Sequence, residues 1–274
     1  SYSFKMRLIV KAKEREMHVV VGKCFRFFFR AINKEYVWNA AYINNLHGIF
    51  GLQEIPDALG WFITLFAVIY CTNAINFIDG VDGQASAIAL TAMLYYAWLL
   101  HESLPVYSLA CIAIAGALLA FMKFNIWGNP VKKSKTFMGD TGSLFLGLAI
   151  VMMGVLANNH TTTMSASTDT VFIMSFAPLF LPCMDVVRVV LHRVRMGLNP
   201  FSADKNHIHH KFLALGLSQH RVSFTVSMIN VIVVAGSCLL AQLTDANTVI
   251  LVILLVWTIS NIIITRLIKE KIKK

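Results

Sequence analysis

Residues 61–83 read WFITLFAVIYCTNAINFIDGVDG, and their pattern decides the fold. The apolar run 61–78 approaches the roughly 20 residues that a helix needs to cross a bilayer. It ends in two carboxamides and two carboxylates, Asn73, Asn76, Asp79 and Asp82, with no basic residue among them. An ionisable side chain in such a segment costs about 2.5–3.5 kcal/mol on insertion scales, so it marks function by default. If the helix continues, Asn73, Asn76 and Asp79 share one face and Asp82 extends the stripe. Gly80 and Gly83 let a ligand or a second backbone come close.

The surrounding composition agrees with a membrane protein. The 274 residues are 57% hydrophobic and 14% charged, with a mean hydropathy of +0.65. This is an all-α composition, a polytopic transmembrane bundle rather than a soluble domain. The net charge of +10 is carried by loops and ends between apolar runs. That placement reads as topology and argues against a nucleic-acid groove. The five cysteines are scattered without CxxC spacing, which points away from disulfides and zinc.

Seven spans are expected, at about 61–78, 84–100, 105–122, 143–157, 171–191, 221–241 and 248–267. The fourth is short and borrows from its flanks. Residues 1–34 carry too many charges to span and read as a basic amphipathic segment in the interface. Residues 35–60 form a polar loop, and 61–274 the bundle that carries the site. Loops 101–104, 158–170 and 242–247 contain no Lys or Arg, whereas loops 123–142 and 192–220 and the C-terminal tail are basic. The positive-inside rule places the basic set in the cytoplasm and residues 35–60 outside. The turn 79–83 then falls at the cytoplasmic face.

Two more polar stretches belong to that face. One is Phe137-Met138-Gly139-Asp140-Thr141-Gly142-Ser143; the other runs from His192, Arg193 and Arg195 through Pro200-Phe201-Ser202 to His207-Ile208-His209-His210. Hard oxygen ligands suit Mg²⁺, which takes one or two protein carboxylates and completes its shell with water and phosphate. Asp140 with Asn76 or a carboxylate of the stripe fits that role, and the Arg and His residues supply charge for phosphate oxygens. Together they read as phosphoryl transfer between a soluble nucleotide and a lipid. Bland readings stand beside these. Asp140 fits a helix N-cap, and the three histidines fit a solvated loop. Asp185 and Arg188 fit a simple i,i+3 pair, and Lys132, Lys133 and Lys135 fit topology alone. A cation-coupled transporter with Asp79, Asp82 and Asp140 at the midplane is the competing function.

On these three motifs the chain resembles the polyprenyl-phosphate N-acetylhexosamine-1-phosphate transferases, particularly the bacterial undecaprenyl-phosphate N-acetylglucosaminyl branch. Residues 73–83 match its NxxNxxDGxDG pattern, residues 137–143 its FMGD(T/A)GS, and residues 200–210 its PFS…HIHH loop. The resemblance implies Mg²⁺-dependent (or Mn²⁺-dependent) transfer of HexNAc-1-phosphate from a UDP-sugar to undecaprenyl phosphate in the bacterial inner membrane. UMP would be released and a lipid-linked glycan such as O-antigen begun. By position, Asp140 and Asn76 would hold the metal. Asp79 and Asp82 would help organise the nucleotide and metal region together with Asn73, and Arg193, Arg195, His207, His209 and His210 would contact the sugar phosphate. Dimers occur in the family. The resemblance also implies further spans ahead of Ser1 and an adjacent Asp-Asp pair that handles the lipid phosphate. Residues 1–8 resemble the family's segment just after that pair, so a truncated, inactive remnant is the third expectation.

Overall fold

The computed structural model describes residues 42–160, 168–199 and 206–273. The expected interfacial segment 1–34 lies outside them, as do residues 200–205 of the histidine loop. The described residues form a helical bundle with no strand, only an isolated bridge between Asn45 and Glu54.

Helix α1 (Asp57–Ile78) starts after Pro56 and places Asp57 in its first turn, where a carboxylate favours the positive end of the helix dipole. It is followed by α2 (Gln84–Leu99), α3 (Pro105–Trp127) and α4 (Gly139–His160). Proline at the first position of α3 costs no hydrogen bond, because that N–H has no intrahelical acceptor. The next span, 171–195, is interrupted. Helix α5 (Val171–Phe176) passes through a 3₁₀ turn at Ala177–Leu179, containing Pro178, into α6 (Phe180–Arg195). Short α7 (Ile208–Ala214) precedes α8 (Gln219–Ala241) and α9 (Ala246–Lys273).

Six of these segments are long and apolar enough to cross a membrane. The expected polytopic bundle is therefore the fold, and the expected fourth span does draw in its flanks to reach 22 residues. The difference from seven is α2. Its 16 residues extend about 24 Å against the roughly 30 Å of hydrocarbon.

Helix α2 compensates by being the centre. Ile88, Ala89, Ala92, Met93 and Tyr96 are fully buried, packed between α3, α4 and α8. Helix α4 lies tightly on α1: a Cβ on Gly147 would stand 2.7 Å from Thr72 Cα. Cys71 of α1 meets Cys183 of α6, Sγ to Sγ at 3.5 Å. The outer helices show apolar side chains instead, among them Phe62, Leu65 and Phe66 on α1 and Leu255, Ile259 and Ile263 on α9. In a bilayer these meet lipid, which is as apolar as leucine.

The bundle has two chemically distinct ends. At one, residues 42–56 are tied to the ends of α4, α5 and α9. His47 lies 3.1 Å from the Asn158 carbonyl, Gln53 donates to Asp169, and the Phe50 N–H donates to Asn247. At the other lie the turn 79–83, the loop 128–138 and α7, and Lys271 of α9 reaches the Leu215 carbonyl there. The Lys- and Arg-poor loops thus gather at the first end and the basic ones at the second, the division seen in the sequence.

Candidate active site

Helix α1 stops at Ile78, where the Asp79 N–H bonds the Asn76 carbonyl at 3.1 Å. The expected helical stripe therefore ends one residue before Asp79, and Asp82 is delivered by a turn. Gly80 and Gly83, with Asp79 and Asp82 each directly before a glycine, favour a turn over a further helical residue. Gly83 has φ +82°, a left-handed conformation that glycine adopts freely. Asn73 is exposed and its amide donates to the Ile69 carbonyl of its own helix at 2.7 Å. Asn76 is half-buried.

The turn draws the other motifs to it. The Asp79 carboxyl, just beyond the end of α1, is pushed up to about 7, first by burial and then by the charges of Asp82 and Asp140. Asp140 lies in the first turn of α4 and is exposed. Carboxylates from two separate stretches therefore crowd one place at the end of the bundle.

Lys135 answers part of that charge: its Nζ lies 2.7 Å from Asp82 Oδ2 and also donates to the Asn125 carbonyl. This corrects the reading of Lys135 as topology alone. Asn125, buried in the last turn of α3, accepts from the Gly83 N–H at 2.6 Å and donates to the Thr136 carbonyl at 2.9 Å. It fastens the first motif to the segment that leads into the second. A polar residue at the end of an apolar span was the available signal for Asn125. Lys135 stands two residues ahead of Phe137.

The histidine loop is built on Asp185, which α6 buries completely. One carboxylate oxygen takes Arg188 Nε and Nη2 at 3.1 and 2.6 Å, the expected i,i+3 pair. The other meets His207 Nδ1 and the Ile208 N–H, each at 3.0 Å. A buried carboxylate satisfied by four donors positions the groups it holds, here the start of α7.

The three histidines differ. His207 is buried and stacks on Phe77 with ring centroids 5.7 Å apart. His209 is 1% exposed and lies under the turn: a Cβ on Gly80 would stand 2.6 Å from its Cε1 and closer still to Nε2. Burial, with His210 and His207 nearby, holds its ring down to about 4, so it is neutral at physiological pH. His210 is half-buried, its ring centroid 4.2 Å from that of His209. Arg193 is buried and donates to the Asn199 carbonyl at 2.7 Å, whereas Arg195 is exposed.

Among the described residues, no three His, Cys, Asp or Glu side chains enclose a metal position by themselves. The donor set fits instead a cation that takes one or two carboxylates and fills its shell with water and phosphate oxygens, the habit of Mg²⁺. The crowding that raises Asp79 is relieved by such a cation.

A multi-pass helical membrane protein with an acidic, partly basic-lined site at the ends of its helices is the class so defined. Residues 18–158 match glycosyl transferase family 4, and the chain belongs to that family. It is 28% identical over 197 residues to the undecaprenyl-phosphate alpha-N-acetylglucosaminyl 1-phosphate transferase of Escherichia coli K12, covering 70% of this chain and 51% of that protein. The Salmonella typhi protein of the same name is 30% identical over 238 residues, covering 85% and 58%. The decaprenyl-phosphate N-acetylglucosaminephosphotransferase of Mycobacterium leprae is 30% identical over 226 residues, covering 77% and 55%. The chain thus spans about half the length of these relatives.

Proposed function

We propose that the chain carries the donor site of a transferase at the cytoplasmic face of the bacterial inner membrane. It moves N-acetylhexosamine 1-phosphate, in the first instance GlcNAc-1-phosphate, from a UDP-sugar to undecaprenyl phosphate. An oxygen of the lipid phosphate attacks the sugar-bearing phosphorus. The bond from that phosphorus to the bridging oxygen breaks, UMP leaves with the oxygen, and a lipid-linked pyrophosphoryl sugar remains. The observation that carries this reading is the meeting of three separated motifs at one end of the bundle: Asp79 beside Asp82 and Asp140, with His209 beneath Gly80. The names of the relatives support the choice of GlcNAc and of a polyprenyl phosphate.

Asp140 and Asn76 would hold Mg²⁺, which when bound supplies charge neutralisation on the pyrophosphate. The protein residues divide the remaining work. Asp79 and Asp82, with Asn73, organise the nucleotide and metal region. His210 and Arg195, the more open members of the basic loop, contact phosphate directly. His207, His209 and Arg193 fix the loop from below. Catalysis of this kind rests on positioning and charge more than on covalent chemistry by the enzyme. A cation-coupled transporter would set its carboxylates at mid-bilayer depth. Asp79, Asp82 and Asp140 stand at helix ends, which favours the transferase.

Membranes bearing the protein, supplied with UDP-GlcNAc, undecaprenyl phosphate and Mg²⁺, are expected to form lipid-linked GlcNAc and UMP, and Asp140→Ala to abolish both. Titration of UDP with and without Mg²⁺ separates the alternatives. Mg²⁺-dependent binding without product marks a remnant that keeps the donor site, and no binding at all refutes the donor site itself.

A further inference from the structure

Lys135 is held more firmly than a loop lysine usually is, the side chain being by habit a hydrated point charge on a flexible stem. Its side chain is 12% exposed and that of its partner Asp82 is 25% exposed. Besides Asp82 and the Asn125 carbonyl, its ammonium has the Phe137 ring at 5.9 Å. The backbone around it is fixed as well. Asn125 bonds Thr136 on one side, and on the other a Cβ on Gly128 would stand 2.6 Å from Lys135 Cα, so the two segments touch. Asn129 accepts from Val131 N–H and donates its own N–H to Ser134 Oγ, which closes the intervening turn. Three neighbouring cations are engaged with other partners: Arg188 with Asp185, Arg193 with the Asn199 carbonyl, and Lys211 with Asn261 and Thr265. Asp82 therefore has a preorganised ammonium in contact, in the same turn as Asp79.

We infer that Lys135 is the resident counter-ion of this carboxylate cluster: it occupies Asp82 until a divalent cation displaces it, and so sets the cation affinity of the site. The inference rests on the divalent-cation reading above and adds a residue to it. A fixed positive charge one side chain away opposes the arrival of a second. The ion pair also fixes the direction of the Asp82 side chain, at 2.7 Å from the ammonium, so that an arriving cation meets a carboxylate already in place.

Mn²⁺ serves as the probe, its free concentration read by electron paramagnetic resonance on the purified full chain in detergent without substrates. Lys135→Met is expected to bind Mn²⁺ about tenfold more tightly than wild type, and Lys135→Arg to stay near wild type. In an Asp82→Asn background Lys135→Met should make no further difference, since the partner of the ammonium is gone. A merely structural loss of the loop would weaken binding instead. Lys135→Gln, which keeps more of the polar contact to Asn125, repeats the measurement should the methionine variant not fold. Equal or weaker Mn²⁺ binding by a folded, monodisperse Lys135 variant overturns the counter-ion role alone. Absence of Mn²⁺ binding by wild type overturns it together with the cation site.

Discussion

Gly80→Ala tests whether the turn and the histidine helix are one packed unit. Gly80 is not in the left-handed region, so the substitution strains no backbone angle and acts through space alone. The new methyl would fall on the His209 ring, 2.6 Å from Cε1, well inside van der Waals contact. The ring cannot withdraw easily. His209 and Ile208 are 1% exposed and Phe212 is 9% exposed, and Asp185 holds the start of α7 by two contacts of 3.0 Å. Overpacking of this kind costs about 1–3 kcal/mol. At about 2–4 °C per kcal/mol for chains of this size, Tm should fall by about 2–12 °C. Thermal unfolding in detergent, followed by the fluorescence of the five tryptophans, measures it. His209→Ala removes the obstacle while leaving a cavity of its own. The double variant should therefore be more stable than the sum of the singles by about 0.5–3 kcal/mol. A Gly80→Ala protein that melts with wild type, or singles that add in full, would refute the packing described.

Three further outcomes are expected. Asp185→Asn removes the charge that holds Arg188, His207 and Ile208, and breaking a buried pair costs about 3–5 kcal/mol; faster hydrogen exchange at residues 206–214 would register it, and unchanged exchange would count against it. Asp79 is pushed up to about 7 in the folded protein from the ordinary 3.8. The native state therefore binds more protons between those values, and stability falls as pH rises through that window. Melting in EDTA at pH 5 and pH 8 should show the decline, and Asp79→Asn should flatten it. Lys211 Nζ donates to Asn261 Oδ1 and Thr265 Oγ1 of α9, each at 3.1 Å. Lys211→Met should cost about 1–3 kcal/mol, with much of that loss absent when Asn261 is already alanine.

The run 61–78 announced its helix through length and apolarity, and the same signal gave the other long spans. Helix α2 was harder, because it buries most of its surface and exposes only apolar residues such as Leu94 and Trp98, so apolar side chains on every side erase the periodicity that tells a short central helix from a lipid-facing one. Within the site, Asp79, Asp82 and Asp140 were visible because a polar residue at the end of an apolar run is costly, and the histidines through the resemblance of residues 200–210 to a family motif. Their arrangement was not visible. Whether Asp82 stays on the helix depends on where the backbone turns, and the helix gave way at Ile78 to a glycine-bearing turn. The contacts of Lys135 with Asp82, of Asn125 with Gly83 and of Asp185 with His207 join residues at least 22 positions apart, and spacing along the chain carries no record of them. Lys135 looked like any basic loop residue until its partner was known.

The facing thiols of Cys71 and Cys183 bear on how motion in this bundle can be followed. Any spin or fluorophore labelling that begins by removing native cysteines must treat these two as one object. Emptying one side of the α1–α6 seam leaves the other sulfur against a void, beside the Tyr70 hydroxyl that bonds the Cys183 carbonyl. Left in place, the pair offers a built-in rivet: a mercury ion or a short dithiol-spanning reagent caught between the sulfurs would pin the helix carrying Asn76 to the helix carrying Asp185. Whether turnover survives that pinning would report if the two must slide.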